Sequence, residues 1–312
     1  MKQHITRAYN SFYVNPAGTT ITKISESLED EISFYKGISD YPESIFFPRC
    51  LGFRENEIDL EYYAYDNLGD YMVFGEFDSV FWDKVVEQLH SILDKFSNTP
   101  FVQQFSVDIY AKEMYVSKTE RYYDELLKNP RFQKISEYAS LTINDVSYLN
   151  FENIWGDVKK IIERDLIEPL SRFCIIHGDM CFSNILCGIN DKTDICILRF
   201  IDPRGYFGVR GIFGDPLYDH AKLLHSYEGG YEYIIYDQFS IEKQVDPSSF
   251  VFEFSNDNKD KIKEVFADFG NTKSKLIEGL IYIGMCSRHY DSEDRQLVMY
   301  ATGIKLLNEV LS

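Results

Sequence analysis

The stretch His177-Gly178-Asp179-Met180-Cys181-Phe182-Ser183-Asn184 decides the fold, together with Asp202, which follows Asn184 by eighteen residues. The apolar residues 173–176 run directly into this stretch and predict a short buried strand that ends at His177. The stretch is therefore expected to be a loop at the end of that strand.

A hairpin is predicted after this loop. Residues 184–187 begin one apolar run and residues 194–201 form another, and each run predicts a strand. Residues 190–193 predict the turn between them, because Asn and Asp hydrogen-bond to their own backbone and tolerate left-handed φ angles. Asn184 and Asp202 are then expected at the open end of the hairpin, close to each other and beside Asp179.

These three side chains suit phosphoryl transfer. In that chemistry one Asp takes the proton of the attacking hydroxyl group, while an Asn and a second Asp hold Mg²⁺ on a nucleotide. Two protein ligands are enough, because Mg²⁺ takes phosphates and waters as its other ligands. We therefore predict Asp179 as the catalytic base and Asn184 and Asp202 as metal ligands, with Mg²⁺ and ATP, or GTP, as cofactors. The alternative is an ordinary hairpin with capping Asp and Asn residues.

The same residues resemble a known family. His177-Gly178-Asp179, Asn184 and Ile201-Asp202 are similar to motifs of the aminoglycoside phosphotransferase and choline kinase superfamily. The segment Gly214-Asp215-Pro216-Leu217-Tyr218-Asp219 resembles the one that follows the metal-binding Asp in that family. Protein kinases usually have His-Arg-Asp and Asp-Phe-Gly at the corresponding places. The resemblance therefore implies a kinase of small molecules.

The resemblance also implies an architecture. The expected fold class is α+β, with the protein-kinase-like bilobal arrangement. A small β-rich lobe that binds the nucleotide is expected at residues 1–66. A larger, mainly helical lobe that holds the catalytic residues and the acceptor is expected at residues 67–312.

The first part of the chain supplies a cation and an acid. Residues 10–14 and 19–24 predict two strands, with Lys23 on the second. A helix is predicted over about 26–37, and Glu31 falls on its apolar side, where a charge needs a partner such as Lys23. In kinases a strand Lys binds the α- and β-phosphates and a helix Glu orients it, so we predict both as nucleotide-binding residues. A solvated surface pair is the alternative.

Two backbone contacts to the nucleotide are also expected. The loop that covers the phosphates is predicted near residues 9–11, although no Gly-x-Gly-x-x-Gly pattern occurs there. Residues 61–69 resemble the family's hinge, where backbone groups bind adenine. A plain edge strand followed by a turn is the competing interpretation of that segment.

The remaining elements are predicted from hydrophobic periodicity. Two more strands are expected, at 48–53 and 57–65. Helices are expected at 79–96, 107–128, 155–171, 215–227, 273–290 and 292–311. Asp215 begins one of these helices, where a carboxylate caps free N–H groups and meets a favourable dipole, so we expect a structural role for it.

Composition limits the function. The 312 residues carry a net charge of -18, which argues against nucleic-acid and anionic-membrane partners, since both require basic patches. The same charge suits a cationic acceptor. No apolar segment has the length of a membrane span or the character of a signal peptide, so a cytoplasmic protein is expected. Its six cysteines contain no C-x-x-C pair and are expected to be free thiols, and zinc is not expected.

Several polar residues leave alternatives open. His177 is expected to brace the loop through hydrogen bonds, since Asp179 suffices as base. Arg204 and Arg210 lie in a glycine-rich segment and are expected either to face the γ-phosphate or an anionic acceptor group, or to form salt bridges. Asp219 and His220 are candidates for an acceptor pocket, without a motif to support them.

The acceptor is expected to be a small hydroxylated metabolite: a sugar, an amino sugar or an amino alcohol. Residues 206–208 depart from the resistance enzymes of the family, which favours a biosynthetic kinase. Two other classes stay open, a protein kinase and a nucleotide-binding pseudoenzyme with a regulatory role. The absence of a Gly-x-Gly-x-x-Gly pattern favours the pseudoenzyme, and the presence of Asp179, Asn184 and Asp202 argues against it.

Overall fold

The computed structural model of the protein describes residues 10–101, 106–190, 195–244 and 246–312. These residues form two compact units. The first comprises the described residues of 10–101 and 174–219, and the second those of 106–173 and 220–312. The predicted lobe boundary, between residues 66 and 67, falls within a short strand of the first unit, and the lobe organisation stays a prediction.

Strands and helices alternate irregularly along the chain. In chain order, the strands are β1 (Asn10–Val14), β2 (Thr20–Ser25), β3 (Cys50–Arg54), β4 (Glu57–Glu61), β5 (Asp66–Asn67), β6 (Ser140–Ile143), β7 (Val146–Leu149), β8 (Cys174–Ile175), β9 (Ile185–Asn190), β10 (Ile195–Phe200), β11 (Phe213–Gly214), β12 (Phe239–Lys243) and β13 (Ser249–Phe254). The helices are α1 (Glu29–Ile38), α2 (Leu68–Phe74), α3 (Ser79–Ser97), α4 (Val107–Lys112), α5 (Lys118–Leu126), α6 (Pro130–Ser136), α7 (Phe151–Ile161), α8 (Leu217–Tyr227), α9 (Tyr231–Ile235), α10 (Asn258–Val265), α11 (Thr272–Cys286) and α12 (Glu293–Leu311).

The first unit contains three small sheets. Its four-stranded antiparallel sheet has the order β1-β2-β4-β3, and its register pairs Lys23 with Phe12 on one side and with Ile58 on the other. Strand β9 pairs with β10 and with β5, and β8 pairs with β11. The short strand β8 and the β9–β10 hairpin flank the stretch 177–184, so the first unit contains the whole predicted site.

Helix α1 packs its apolar side into the core of the first unit. Leu28, Phe34 and Tyr35 are buried, whereas Ile32 is half-buried. The buried positions of the helix, Glu31, Phe34, Tyr35 and Ile38, have the i, i+3, i+4, i+7 spacing of a single helix face. Glu31 is thus an acid on a buried face.

The second unit is built mainly of helices. Helices α11 and α12 pack against each other, and α5 and α7 pack against this pair. Residues 276–284 of α11 are buried on every side, as expected for a central helix. A mixed sheet of order β12-β13-β6-β7 completes the unit, with β13 and β6 parallel. Two predicted long helices are each continued by a π-helical turn, at Glu113–Ser117 and at Ile162–Ile167.

Most predicted elements are present with shifted ends. The hairpin after residue 184 is confirmed, and part of its predicted turn falls among residues 191–194, outside the described ranges. The strand predicted over 57–65 ends at Glu61. None of the helices in the described part of the chain has the length and apolar character needed to cross a bilayer.

Candidate active site

The stretch 177–184 is a loop whose two ends are tied together. Strand β8 leads into it, and a 3₁₀ turn over Phe182–Asn184 leads out into β9. The Asn184 side-chain amide Nδ2 donates to the Asp179 backbone carbonyl at 2.8 Å, and the Asn184 N–H donates to the Cys181 carbonyl. The predicted base and the first predicted metal ligand are therefore neighbours in space.

Ile201 links this loop to the end of β10. Its N–H donates to the Asn184 carbonyl at 3.0 Å, and its carbonyl lies 2.9 Å from His177 Nε2. Asp202 follows directly with a φ of 55°, a left-handed conformation that Asp tolerates better than most residues. These bonds bring Asp202 to the same end of the hairpin as Asn184, as the sequence predicts.

His177 uses both ring nitrogens within this framework. Nδ1 accepts a hydrogen bond from the Asp179 N–H at 3.1 Å, so it carries no proton. The Ile201 carbonyl can only accept, so Nε2 is the protonated nitrogen and donates to it. The ring is fully buried and stacks on Phe47, with centroids 6.0 Å apart. This geometry agrees with the predicted bracing role of His177.

Asp219 holds the loop from a direction that the sequence did not indicate. Its side chain is buried, and its two carboxylate oxygens accept hydrogen bonds from the N–H groups of His177, at 2.7 Å, and Gly178, at 2.8 Å. The suggestion that Asp219 lines an acceptor pocket is therefore wrong. The Gly-Asp-Pro-Leu-Tyr-Asp segment drew attention to Asp219 in the sequence. Its contact with His177, 42 residues away, is visible only in the folded structure.

Lys23 bridges two carboxylates. Its Nζ lies 2.7 Å from Glu31 Oε2 and 2.8 Å from Asp202 Oδ1. The predicted ion pair with Glu31 is thus present and buried, while the Asp202 side chain is 37% exposed. Lys23 on strand β2 is therefore shared between Glu31 on helix α1 and Asp202, the second predicted metal ligand.

Burial and charge shift the pKa values of this trio. Burial lowers the pKa of Lys23, but Asp202 and Glu31 outweigh it, so the pKa is raised and the ammonium stays charged. Burial raises the pKa of Glu31 to about 7; Lys23 opposes that shift and Asp202 adds to it. The site therefore has one permanent positive charge beside two acids.

Gly178 makes room for an arginine. It has a φ of 78°, and a Cβ on it would lie 2.8 Å from Arg204 Cβ. The Arg204 N–H donates to the His177 carbonyl, and its Nη1 donates to the Tyr218 hydroxyl at 3.2 Å. Arg204 is therefore positioned directly against the loop that carries Asp179.

Arg210 and Asp215 have structural partners. Arg210 Nε lies 2.6 Å from Asp30 Oδ1, which is the salt-bridge alternative of the two that were open. Asp215 accepts a hydrogen bond from the Leu217 N–H at 2.9 Å, so it caps the start of α8 as predicted. Cys181 is buried, and its sulfur lies 3.2 Å from the Ser183 hydroxyl.

The donor set suits Mg²⁺ better than a softer metal. Because the amide nitrogen of Asn184 is bound to the loop, its carbonyl oxygen is the group that remains for ligation, and Asp202 adds a partly exposed carboxylate. Hard oxygens in this small number are typical of Mg²⁺ sites completed by phosphates. Among the described residues, no three His, Cys, Asp or Glu side chains cluster in a way that could hold a metal by themselves.

The two predicted backbone contacts to the nucleotide fall on different kinds of backbone. In the loop expected to cover the phosphates, residues 10–11 belong to strand β1, and Tyr9 lies outside the described residues. In the segment predicted as the hinge, residues 62–65 form no strand, and β5 follows directly. The Tyr65 ring lies over Gly188, where a Cβ would come within 2.6 Å of it.

The fold and this arrangement define a protein-kinase-like α+β protein. Comparison with protein-family models and with curated protein sequences gives no match. Among solved structures, the chain has the fold of the APH(2″)-IIa–gentamicin complex, with 12% identity, a TM-score of 0.54, and coverage of 96% of this chain and 87% of that one.

Two further solved structures share this fold. A GDP complex of an aminoglycoside 2′-phosphotransferase-IIIa variant has 14% identity and a TM-score of 0.54, with coverage of 98% of this chain and 89% of that one. Choline kinase from Cryptosporidium parvum has 14% identity and a TM-score of 0.51, with coverage of 99% and 87%. The protein-kinase-like fold inferred from the loop motif is thereby confirmed.

Proposed function

We propose that the protein is a small-molecule kinase, which transfers the γ-phosphate of ATP or GTP to a hydroxyl group of a sugar, an amino sugar or an amino alcohol. The observation that carries this proposal is the Lys23 ammonium between Glu31 and Asp202, beside a loop that holds Asp179 and Asn184 together. These residues are of the types that phosphoryl transfer uses: a cation that binds phosphate, metal ligands and a base.

Each residue has a distinct role in the proposed reaction. Asp179 accepts a hydrogen bond from the acceptor hydroxyl, orients it and takes its proton as the bond to phosphorus forms. Lys23, held by Glu31, binds the α- and β-phosphates. Asn184 and Asp202 are the residues that would hold Mg²⁺, and when bound this ion would neutralise negative charge on the phosphate oxygens. His177 and Asp219 keep the loop in place.

An apolar strand face supports nucleotide binding next to Lys23. Phe12 lies opposite Lys23 and Val14 lies opposite Ile21 in the register of β1 and β2, so these residues share one face of the sheet. Phe12 is 42% exposed and Val14 is 38% exposed. A purine base or ribose packed on this face would cover them while its phosphates reach Lys23.

Two facts support a small hydroxylated acceptor. The solved structures with this fold include a complex with gentamicin and a choline kinase, so the fold serves amino sugars and amino alcohols elsewhere. The net charge of -18 favours the approach of a cationic acceptor. An assay over a panel of such acceptors identifies the one that the protein uses.

Arg204 is proposed to bind the transferred phosphoryl group or an anionic part of the acceptor. Its position against Gly178 places a planar cation beside the loop of Asp179, and guanidinium groups match phosphate oxygens bidentately. We expect Arg204→Ala to lower turnover while nucleotide affinity stays within about twofold. Arg210→Ala is the matched control, because Arg210 is paired with Asp30. Equal turnover in Arg204→Ala and wild type would remove this role.

The first experiment is Mg²⁺-dependent phosphate transfer from ATP and from GTP. The acceptors are choline, ethanolamine, hexoses, amino sugars, heptoses and aminoglycosides, with Asp179→Asn as the control. We expect this variant to lose about a hundredfold to ten-thousandfold in turnover, because it loses the base, and to keep its fold and nucleotide affinity. Asp202→Ala should lose the Mg²⁺ dependence of nucleotide binding.

The outcomes separate the competing functions. Turnover of Asp179→Asn near that of wild type would sink the assignment of the base. Transfer of phosphate to a protein would indicate a protein kinase. Tight nucleotide binding without transfer to any acceptor in the panel would favour the regulatory pseudoenzyme.

A further inference from the structure

Two cysteines of the β9–β10 hairpin are in contact. The Sγ atoms of Cys187, on β9, and Cys196, on β10, lie 3.2 Å apart. Cys187 is paired with Leu198 and Cys196 with Ile189, so the two thiols are diagonal neighbours on one face of the hairpin. A disulfide bond needs the sulfurs at about 2.05 Å, a closure of roughly one ångström.

The other four cysteines have a different environment. Cys174 donates to the Ser97 carbonyl, Cys286 to the Tyr282 carbonyl and Cys50 to the Gly52 carbonyl. The sulfur of Cys181 lies against the Ser183 hydroxyl. All six cysteines are free thiols, and these four provide internal controls for any chemistry that requires two adjacent sulfurs.

The two thiols of the pair are not equivalent. The hydrogen bond between them lowers the pKa of Cys196 and raises that of Cys187. Burial opposes the shift at Cys196, whereas Gln88 and Lys84 support it. Cys196 is 8% exposed and Cys187 is 1% exposed, so Cys196 is both the better thiolate and the more accessible sulfur.

We propose that Cys187 and Cys196 are a redox pair, which a peroxide oxidises to a reversible disulfide within the hairpin. The Cys196 thiolate attacks one peroxide oxygen, the O–O bond breaks, and hydroxide leaves and is protonated to water. The sulfur of Cys187 then attacks the resulting sulfenic acid, the S–S bond forms, and the hydroxyl group leaves as a second water with the Cys187 proton. Two thiols are oxidised and one peroxide is reduced to two waters.

This bond would join the strands that carry the site. Asn184 precedes β9 and Asp202 follows β10, so both lie at the open end of the hairpin. Cys196 lies near the other end, at the start of β10. The crosslink would hold the strands in register without touching either residue. Formation of this bond does not depend on phosphoryl transfer, because only the two sulfurs and the peroxide react.

Peptide mapping tests the proposal directly. Folded wild-type protein is treated with stoichiometric hydrogen peroxide, remaining thiols are alkylated, and the protein is digested without reduction. Cleavage after Phe182 and Lys192 puts Cys187 and Cys196 on different peptides and separates Cys187 from Cys174 and Cys181. The expected product is one linked species, lighter than the two peptides by two hydrogens, that disappears on treatment with a thiol reductant.

Variants resolve the order of the two steps. In Cys187→Ser, Cys196 should stop at a sulfenic acid that dimedone traps, and in Cys196→Ser, Cys187 should stay alkylatable at the same dose. Cys174→Ser is the matched control and should form the linked species as wild type does. Peroxide treatment that oxidises other cysteines while Cys187 and Cys196 remain alkylatable would overturn the proposal. A link found only after denaturation in urea, or only between two chains, would do the same.

Discussion

At the scale of single residues, the loop 177–184 depends on buried hydrogen-bond acceptors. The carboxylate of Asp219 accepts hydrogen bonds from two backbone N–H groups of the loop, and His177 Nδ1 accepts one from the Asp179 N–H. A buried donor that loses its acceptor costs its full desolvation penalty. These side chains therefore determine the backbone path of the loop even though they take no part in the proposed chemistry.

Asp219→Ala should destabilise the protein by about 2–5 kcal/mol, because it leaves two buried N–H groups without an acceptor. Turnover should fall as well, since the loop that holds Asp179 relaxes. Asp78→Ala is the control, because Asp78 is an N-cap residue that accepts a hydrogen bond from the Phe81 N–H at the start of α3, and its loss should cost about 1 kcal/mol. Urea denaturation measures both changes, and equal stability losses would contradict the anchoring role.

At the scale of elements, helix α1 is fixed by a close approach of backbone. Gly205, in the segment after β10, has a φ of 65°, and a Cβ there would lie 1.9 Å from the Asp30 carbonyl oxygen. Arg210, from the same segment, pairs with the Asp30 side chain. The segment therefore contacts the helix that carries Glu31, and only glycine allows this approach.

Gly205→Ala should cost several kcal/mol of stability, because the clash adds to the cost of a left-handed Ala. Gly18→Ala provides the matched control: Gly18 also has a φ of 65°, but nothing lies within 4 Å of its added Cβ. Its cost should be about 1 kcal/mol, from backbone conformation alone. The difference between the two variants in chemical denaturation measures the clash, and no difference would show that the segment can move away from α1.

At the scale of the whole molecule, the sequence was informative wherever a local pattern carries the information. The loop motif, the β9–β10 hairpin and the Lys23–Glu31 pair follow from spacing and periodicity along the chain, and each is present. The roles of these residues in binding and transfer stay predictions. Three contacts between distant segments could not be predicted from the sequence: Asp219 with the loop, Gly205 with α1, and Lys23 with Asp202. Each depends on tertiary placement that a single sequence does not reveal.

Global stability should respond to pH through a buried acid of the second unit. Glu278, on α11, is fully buried, and among the described residues neither of its carboxylate oxygens has a hydrogen-bond partner. Burial, with a smaller contribution from Glu228, holds the pKa of Glu278 well above its usual range, and Lys275 and Lys263 oppose the shift. The folded state therefore binds a proton that the unfolded state releases, so stability falls as pH rises above about 4.5.

Glu278→Gln should remove this pH dependence. Above the pKa of the unfolded carboxyl, wild type should lose stability relative to the variant by up to about 1.4 kcal/mol per pH unit, until the folded pKa is reached. Glu253→Gln, at an exposed position, is the control and should follow wild type. Denaturation curves from pH 5 upward check the prediction, and parallel pH profiles for wild type and Glu278→Gln would contradict it.

The buried hydrogen-bond acceptors of the loop 177–184 also determine how much the loop moves. Residues 177–181 form neither helix nor strand, yet the amides of His177, Gly178 and Asp179 each point at a buried acceptor. Amides held in this way exchange with deuterium only when the surrounding structure opens. The loop should therefore take up label as slowly as a central strand, and a map of exchange lifetimes would show rigid, irregular backbone at the place where the reaction is proposed to occur.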